Sequence, residues 1–183
     1  MMSNNIPNIL TLSRLLAIPL IIASFYIEDR KLANITGGFL FLFASITDFL
    51  DGFLARKYNL ETKFGVIFDP ISDKVLVACT MLMLIKFNKA EALPCILIIS
   101  REFIISGIRE YLVKEGITIP VSFLGKLKTF TQMVALFALI IGNVGFGMEG
   151  IDRIGNILLW ISAILSVYSA ISYLRSYAKY IIG

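Results

Sequence analysis

Asp48, Asp51, Asp69 and Asp73 stand close together in a stretch that reads DFLDGFLARKYNLETKFGVIFDPISD, inside a sequence otherwise apolar enough for a bilayer. An acidic side chain costs roughly 2.5–3.5 kcal/mol at the centre of a membrane span and less toward its ends. Four of them so near one another call for a compensating cation. The chain contains no histidine, so any metal here is held by oxygen donors, which suits a hard divalent ion such as magnesium or manganese. Four carboxylates can hold two ions if some of them bridge. A pair of ions roughly 3.5–4 Å apart stabilises charge on the attacking and leaving oxygens of phosphoryl transfer.

The spacing says where these groups point. At about 100° per residue, Asp48, Asp51, Gly52 and Ala55 share one helical face, and Gly65, Asp69 and Asp73 share another. The polar segment between them, Arg56 to Phe64, is short, so the two helices are expected to pair antiparallel and bring both acidic faces to one membrane surface. Gly52, Ala55 and Gly65 keep that surface low enough for a nucleotide or pyrophosphate to approach the backbone. Arg56 is placed to take a phosphate oxygen. Two other uses of such residues stand beside this one: helix packing by the small residues, and an ion-transport path through the carboxylates.

The joint pattern D-x-x-D-G-x-x-A-R, eight residues, then G-x-x-x-D-x-x-x-D resembles the signature of the CDP-alcohol phosphatidyltransferases at Asp48, Asp51, Gly52, Ala55, Arg56, Gly65, Asp69 and Asp73. The resemblance implies a CDP-lipid bound on two divalent ions and CMP displaced by an alcohol. Further on, an apolar helix carries Arg101, Glu102 and Arg109, and the next begins with Lys126, Lys128, Thr129 and Gln132. Arg101 and Arg109 share a face, and the connection returns Lys126 to the same membrane surface. A cationic pocket beside a bound pyrophosphate fits an acceptor that itself bears phosphate. Taken singly, Arg109, Lys114 and Lys128 read equally well as positive-inside anchors paired with Glu102, Glu110 and Glu115, and Arg101 and Lys126 are the stronger candidates for the pocket.

Near the N-terminus Asn8, Thr11 and Arg14 form a polar stripe that is either solvated or turned toward the nucleotide. Here P-N-x-L-T-x-x-R, together with S-R-E-F-I-I-S-G-I-R and G-K-L-K-T-F-T-Q, resembles the bacterial phosphatidylglycerophosphate synthase branch of the family, over nearly the whole chain. That resemblance implies CDP-diacylglycerol and sn-glycerol 3-phosphate as substrates, a nucleotide-facing role for Asn8 and Thr11, a homodimer and no nucleic-acid partner. Serine, an inositol phosphate or phosphatidylglycerol remain alternative acceptors within the family. The mechanism expected on this basis places Asp48, Asp51, Asp69 and Asp73 on the metal, with Asp73 also taking the acceptor proton. Arg101, Arg109, Lys126 and Lys128 hold the acceptor phosphate.

The rest of the chain must position these groups. With 183 residues, 57% hydrophobic and 16% charged, it reads as one all-α integral membrane unit over 1–183 rather than a soluble domain. About six transmembrane helices are expected, near Leu10 to Tyr26, Ile35 to Leu54, Gly65 to Ile85, Ala92 to Val113, Phe123 to Asn143 and Ile154 to Tyr173. The first has an interfacial helical start and no cleavable leader. Cys79 and Cys95 lie in apolar runs and read as free packing residues. Gly142, Gly145, Gly147 and Gly150 mark a turn between spans, Lys74 an ion pair or a snorkelling cation, and the last span packing and anchoring only. Lysine and arginine concentrate on the side of Arg56, Lys57 and Lys63. That asymmetry puts both termini and the acidic face on the cytoplasmic side, and the resemblance implies a bacterial inner membrane.

Overall fold

In the computed structural model the backbone is described over residues 6–58, 63–117 and 123–182, and the side chains over 11–47, 65, 67–117 and 123–180. Six helices follow one another: α1 (Ile6–Ser24), α2 (Arg30–Tyr58), α3 (Lys63–Lys86), α4 (Ala92–Lys114), α5 (Phe123–Phe146) and α6 (Ile151–Ile182). The elements match the expected six, with shifted ends. Asp29 starts α2 ahead of the expected Ile35, because its carboxylate accepts from the backbone N–H groups of Lys31 (2.8 Å) and Leu32 (3.1 Å), satisfying donors that a helix start leaves open. α2 then continues past Arg56 to Tyr58. At 32 residues, α6 is about 48 Å long and outruns a hydrocarbon core of about 30 Å. The connection expected to join the two acidic helices falls on residues 59–62, outside the described residues. So do the side chains of Asn8, Asp48, Asp51, Gly52, Ala55 and Arg56.

Inside, Ile21, Phe41, Leu76, Leu84, Ile98, Leu136, Leu139 and Leu159 form one continuous core. Outside, Leu16, Phe39, Leu82, Ile104, Phe130 and Ile164 are exposed. Large apolar side chains on both faces are the pattern of helices solvated by lipid. By length and composition, 123–146 and Ile151–Tyr180 are each apolar enough to cross a membrane. Helices α2, α3 and α4 carry charged groups along with their apolar faces. Small residues bring neighbours close: a Cβ on Gly155 of α6 would come within 2.7 Å of Leu139 on α5, and one on Gly37 of α2 within 2.7 Å of Ser24 on α1.

Cross-helix polar contacts gather in two layers, one at each end of the bundle. The layer remote from the acidic residues is built on a break in α5. Gly142 takes φ 59°, ψ −172°, a conformation open essentially to glycine alone. This corrects the expectation that Gly142 and Gly145 lie in a turn, since the helix resumes and ends at Phe146. Carbonyls next to the break accept side-chain donors: Ile140 accepts from Lys89 Nζ (2.8 Å) and Ile141 from Asn34 Nδ2 (2.8 Å), while Lys89 also donates to Asn34 Oδ1 (2.5 Å). Asn156 Nδ2 of α6 closes the set on the Lys89 carbonyl (3.1 Å).

Burial lowers the Lys89 ammonium pKa to about 8; Arg30 pushes the same way and Asp152 opposes. Because the folded pKa lies below the unfolded value of 10.5, the folding penalty of the charged form is fully present below about pH 8 and is relieved as pH rises toward 10.5. A neutral amine keeps two hydrogens, enough for both acceptors. We therefore expect the detergent-solubilised protein to gain thermal stability relative to Lys89→Met between pH 8 and 10. A flat or falling difference across that window contradicts the assignment.

Candidate functional site

The other layer begins with α1, which packs against both α2 and α3. Thr11 and Arg14 are one helical turn apart and both are buried. Thr11 Oγ1 donates to Asp69 Oδ1 at 2.6 Å, and Arg14 Nη1 donates to Ser72 Oγ at 3.0 Å and lies 3.9 Å from Asp69 Oδ1. Ser72 in turn donates to the Asp69 carbonyl at 3.1 Å. The Arg14 side chain has no exposure, whereas that of Asp69 is 39% exposed. Asp69 is thus oriented from within the bundle and open outward. The polar stripe at the N-terminus, solvated or turned toward the nucleotide on the sequence alone, faces α3 at Thr11 and Arg14.

Asp73 follows Asp69 by one turn on the same face of α3, half-buried, within the fields of Arg14, Lys128 and Lys74. Gly65, a turn before Asp69, is buried. The Lys74 ammonium, whose charge acts on Asp73, also hydrogen-bonds Ser106 on α4 and ties α3 to α4. No three carboxylates gather among the described residues, and the Asp48 and Asp51 side chains are not among these.

Beside the acidic helix lies a cavity of about 380 Å³ walled by α4, α5 and α6, whose lining includes Arg101, Glu102, Arg109, Lys128, Ser169 and Tyr173. Arg101 is held by α6: Nε donates to the Ser166 carbonyl (3.3 Å) and Nη2 to Ser169 Oγ (2.8 Å). Lys128 is buried and ion-paired with Glu102. Lys126 is exposed and is not among the lining residues. Lys114, by contrast, pairs with Glu110 at 3.4 Å in full view of solvent, as an anchor would. A smaller recess of about 20 Å³ lies between Asp73, Lys74, Glu102 and Gln132, so the acidic face and the cationic cavity adjoin at Glu102.

The last helix does more than pack and anchor, which corrects the sequence reading. Ser169, Ser172, Tyr173, Ser176 and Tyr177 all line the cavity, at the i, i+3, i+4, i+7 and i+8 spacing of one helical face. That spacing was visible in the sequence. Tyr173 Oη is buried with no hydrogen-bond partner among the described residues, so this wall retains a hydroxyl for a ligand. Such a cavity, cationic on two walls and hydroxyl-bearing on the third, is chemically suited to a phosphorylated polyol.

The sequence model of the CDP-alcohol phosphatidyltransferase family matches residues 4–168. Among curated relatives, a protein of Rickettsia felis named CDP-diacylglycerol–glycerol-3-phosphate 3-phosphatidyltransferase is 49% identical over 176 residues, covering 96% of this chain and 97% of the relative. A Rickettsia typhi protein of the same name is 50% identical over 176 residues, covering 96% and 98%. One from Bacillus subtilis, also so named, is 36% identical over 180 residues, covering 92% and 93%.

Replacing Thr11 by valine keeps the side-chain shape and removes the donor to Asp69. The expected loss is about 1 kcal/mol of unfolding free energy, below the usual range for bonds to charged groups because Asp69 is partly solvated. Unchanged unfolding of Thr11→Val in detergent would show that this contact does not hold α1 to α3.

Proposed function

The chain belongs to the CDP-alcohol phosphatidyltransferase family, an enzyme family embedded in membranes and generally dependent on divalent metal, and from that premise we propose its reaction: transfer of the phosphatidyl group of CDP-diacylglycerol to sn-glycerol 3-phosphate, giving phosphatidylglycerol phosphate and CMP. The observation that carries the choice of acceptor is the cavity lined by Arg101, Arg109 and Lys128, next to the recess at Asp73. Near-full-length relatives named for the same two substrates support it.

In this reading Asp48, Asp51, Asp69 and Asp73 hold the metal, magnesium or manganese and two ions in number. The residues fit such a cation, for Asp69 is oriented by Thr11 yet partly open outward, and the donors are hard carboxylate oxygens. When bound, the metal neutralises the pyrophosphate of the lipid donor and charge on the departing CMP. Asn8, Gly52, Ala55, Arg56 and Gly65 receive the CDP-lipid, and buried Thr11 acts on it through Asp69. Arg101, Arg109 and Lys128 of the cavity wall take the acceptor phosphate and aim its free hydroxyl, without Lys126, which lies outside that lining. Asp73 accepts the hydroxyl proton as that oxygen bonds to the lipid-proximal phosphorus and the bond to CMP breaks. All six helices span the inner membrane as one unit over 1–183, likewise part of the proposal. The site opens to the cytoplasm, and the enzyme works as a homodimer.

The test is CMP release from CDP-diacylglycerol with magnesium, offering sn-glycerol 3-phosphate, serine, an inositol phosphate and phosphatidylglycerol in turn. Release with sn-glycerol 3-phosphate alone is expected, with Asp73→Asn slower by about 10²–10⁴-fold. Release with serine but not glycerol phosphate would replace the acceptor, and substantial activity in Asp73→Asn would remove its role as base.

A further inference from the structure

Among the described residues, Glu102 alone lines both the large cavity and the recess beside Asp73. Its Oε1 is the ion-pair partner of Lys128, whose side chain is only 5% exposed, and lies 3.5 Å from Arg101 Nη1. Arg101 is fixed on its far side by Ser166 and Ser169 of α6. One carboxylate oxygen therefore joins a cation of α4 to a cation of α5. A buried ammonium without such a counter-charge is strongly disfavoured and moves toward solvent or loses its proton. The charge on the cavity wall follows as well. Arg101, Arg109 and Lys128 against Glu102 leave two net positive charges, which match the charge of roughly −1.5 to −2 on a phosphate monoester near neutral pH.

We propose that Glu102 is a positioning residue for the acceptor: it holds Lys128 and Arg101 at a fixed separation and sets the cavity charge, so that the site selects a phosphomonoester over a neutral or zwitterionic alcohol. This rests on the acceptor reading above and adds a residue that the phosphate does not itself need to touch. Removing the carboxylate frees the two cations to repel each other and to leave the geometry that a tetrahedral phosphate requires.

Two measurements on the full chain in detergent separate this inference from the reading beneath it. Wild-type CMP release across acceptors tests the reading. Binding of inorganic phosphate by calorimetry, with no turnover, tests Glu102: Glu102→Gln is expected to weaken it about 10- to 100-fold, and Glu102→Asp, which keeps the charge on a shorter arm, to recover part of the loss. In turnover, the KM for sn-glycerol 3-phosphate should rise in Glu102→Gln while that for CDP-diacylglycerol holds. Parallel rises in both KM values, or equal phosphate binding by wild type and Glu102→Gln, would overturn the proposal. Tighter phosphate binding by Glu102→Gln would also overturn it, since the carboxylate would then compete with the ligand. Melting curves of Glu102→Gln and Glu102→Asp identify any variant that fails to fold, and the other then decides.

Discussion

A guanidinium enclosed without exposure among apolar helices has to be met by partners, and Arg14 is met by α3. It donates to Ser72 and faces Asp69, while Thr11, one turn earlier, donates to Asp69 directly. These contacts fix the rotation of α3 about its own axis. Once Asp69 is set, helical geometry sets Asp73 one turn on, and the acidic face turns toward the cations of α4 and α5. The candidate chemistry therefore sits at one end of the bundle, apart from the apolar core between the layers.

At the remote end the same rule, that a polar group taken from water needs a partner, produces a lock. Gly142 interrupts α5, the carbonyls beside it accept from Asn34 and Lys89, and Asn156 binds the Lys89 backbone. Four parts of the chain, α2, the α3–α4 loop, α5 and α6, are held there by polar groups. Trp160 of α6 adds a bond to Glu91 (2.9 Å), ahead of α4. Helices tied at one end and packed along their length keep their opposite ends in register, where α4, α5 and α6 wall the cavity.

Much of this could be read from the residues. Asp69 and Asp73 share a helix face because they are four apart, and apolar runs of near-spanning length separated by charged breaks give six helices. Lys128 was also legible: it stands in phase with Gln132, Ala135 and Leu139, the buried face of α5, whereas Lys126, two residues earlier, is about 200° around and exposed. Weight given to Lys126 for its place after Gly125 overlooked that phase. The hydroxyl face of α6 escaped notice because serine and tyrosine at a helix end also suit an interface, and only the packing of α6 on α4 separates the two uses. The break at Gly142 was not legible, since the groups that donate to the carbonyls beside it, Lys89 and Asn34, are distant in sequence.

Thr11 and Arg14 thus orient one half of an acidic face whose other half, in our reading, comes from α2, with a divalent cation between them. Crystals grown with manganese and measured at the manganese absorption edge address this directly. We predict anomalous density bounded by Asp69 and Asp73 of α3 and by Asp48 and Asp51 of α2, lost when both α3 aspartates are replaced by asparagine. Absence of density there, in protein that releases CMP undiminished in the presence of a chelator, would contradict it.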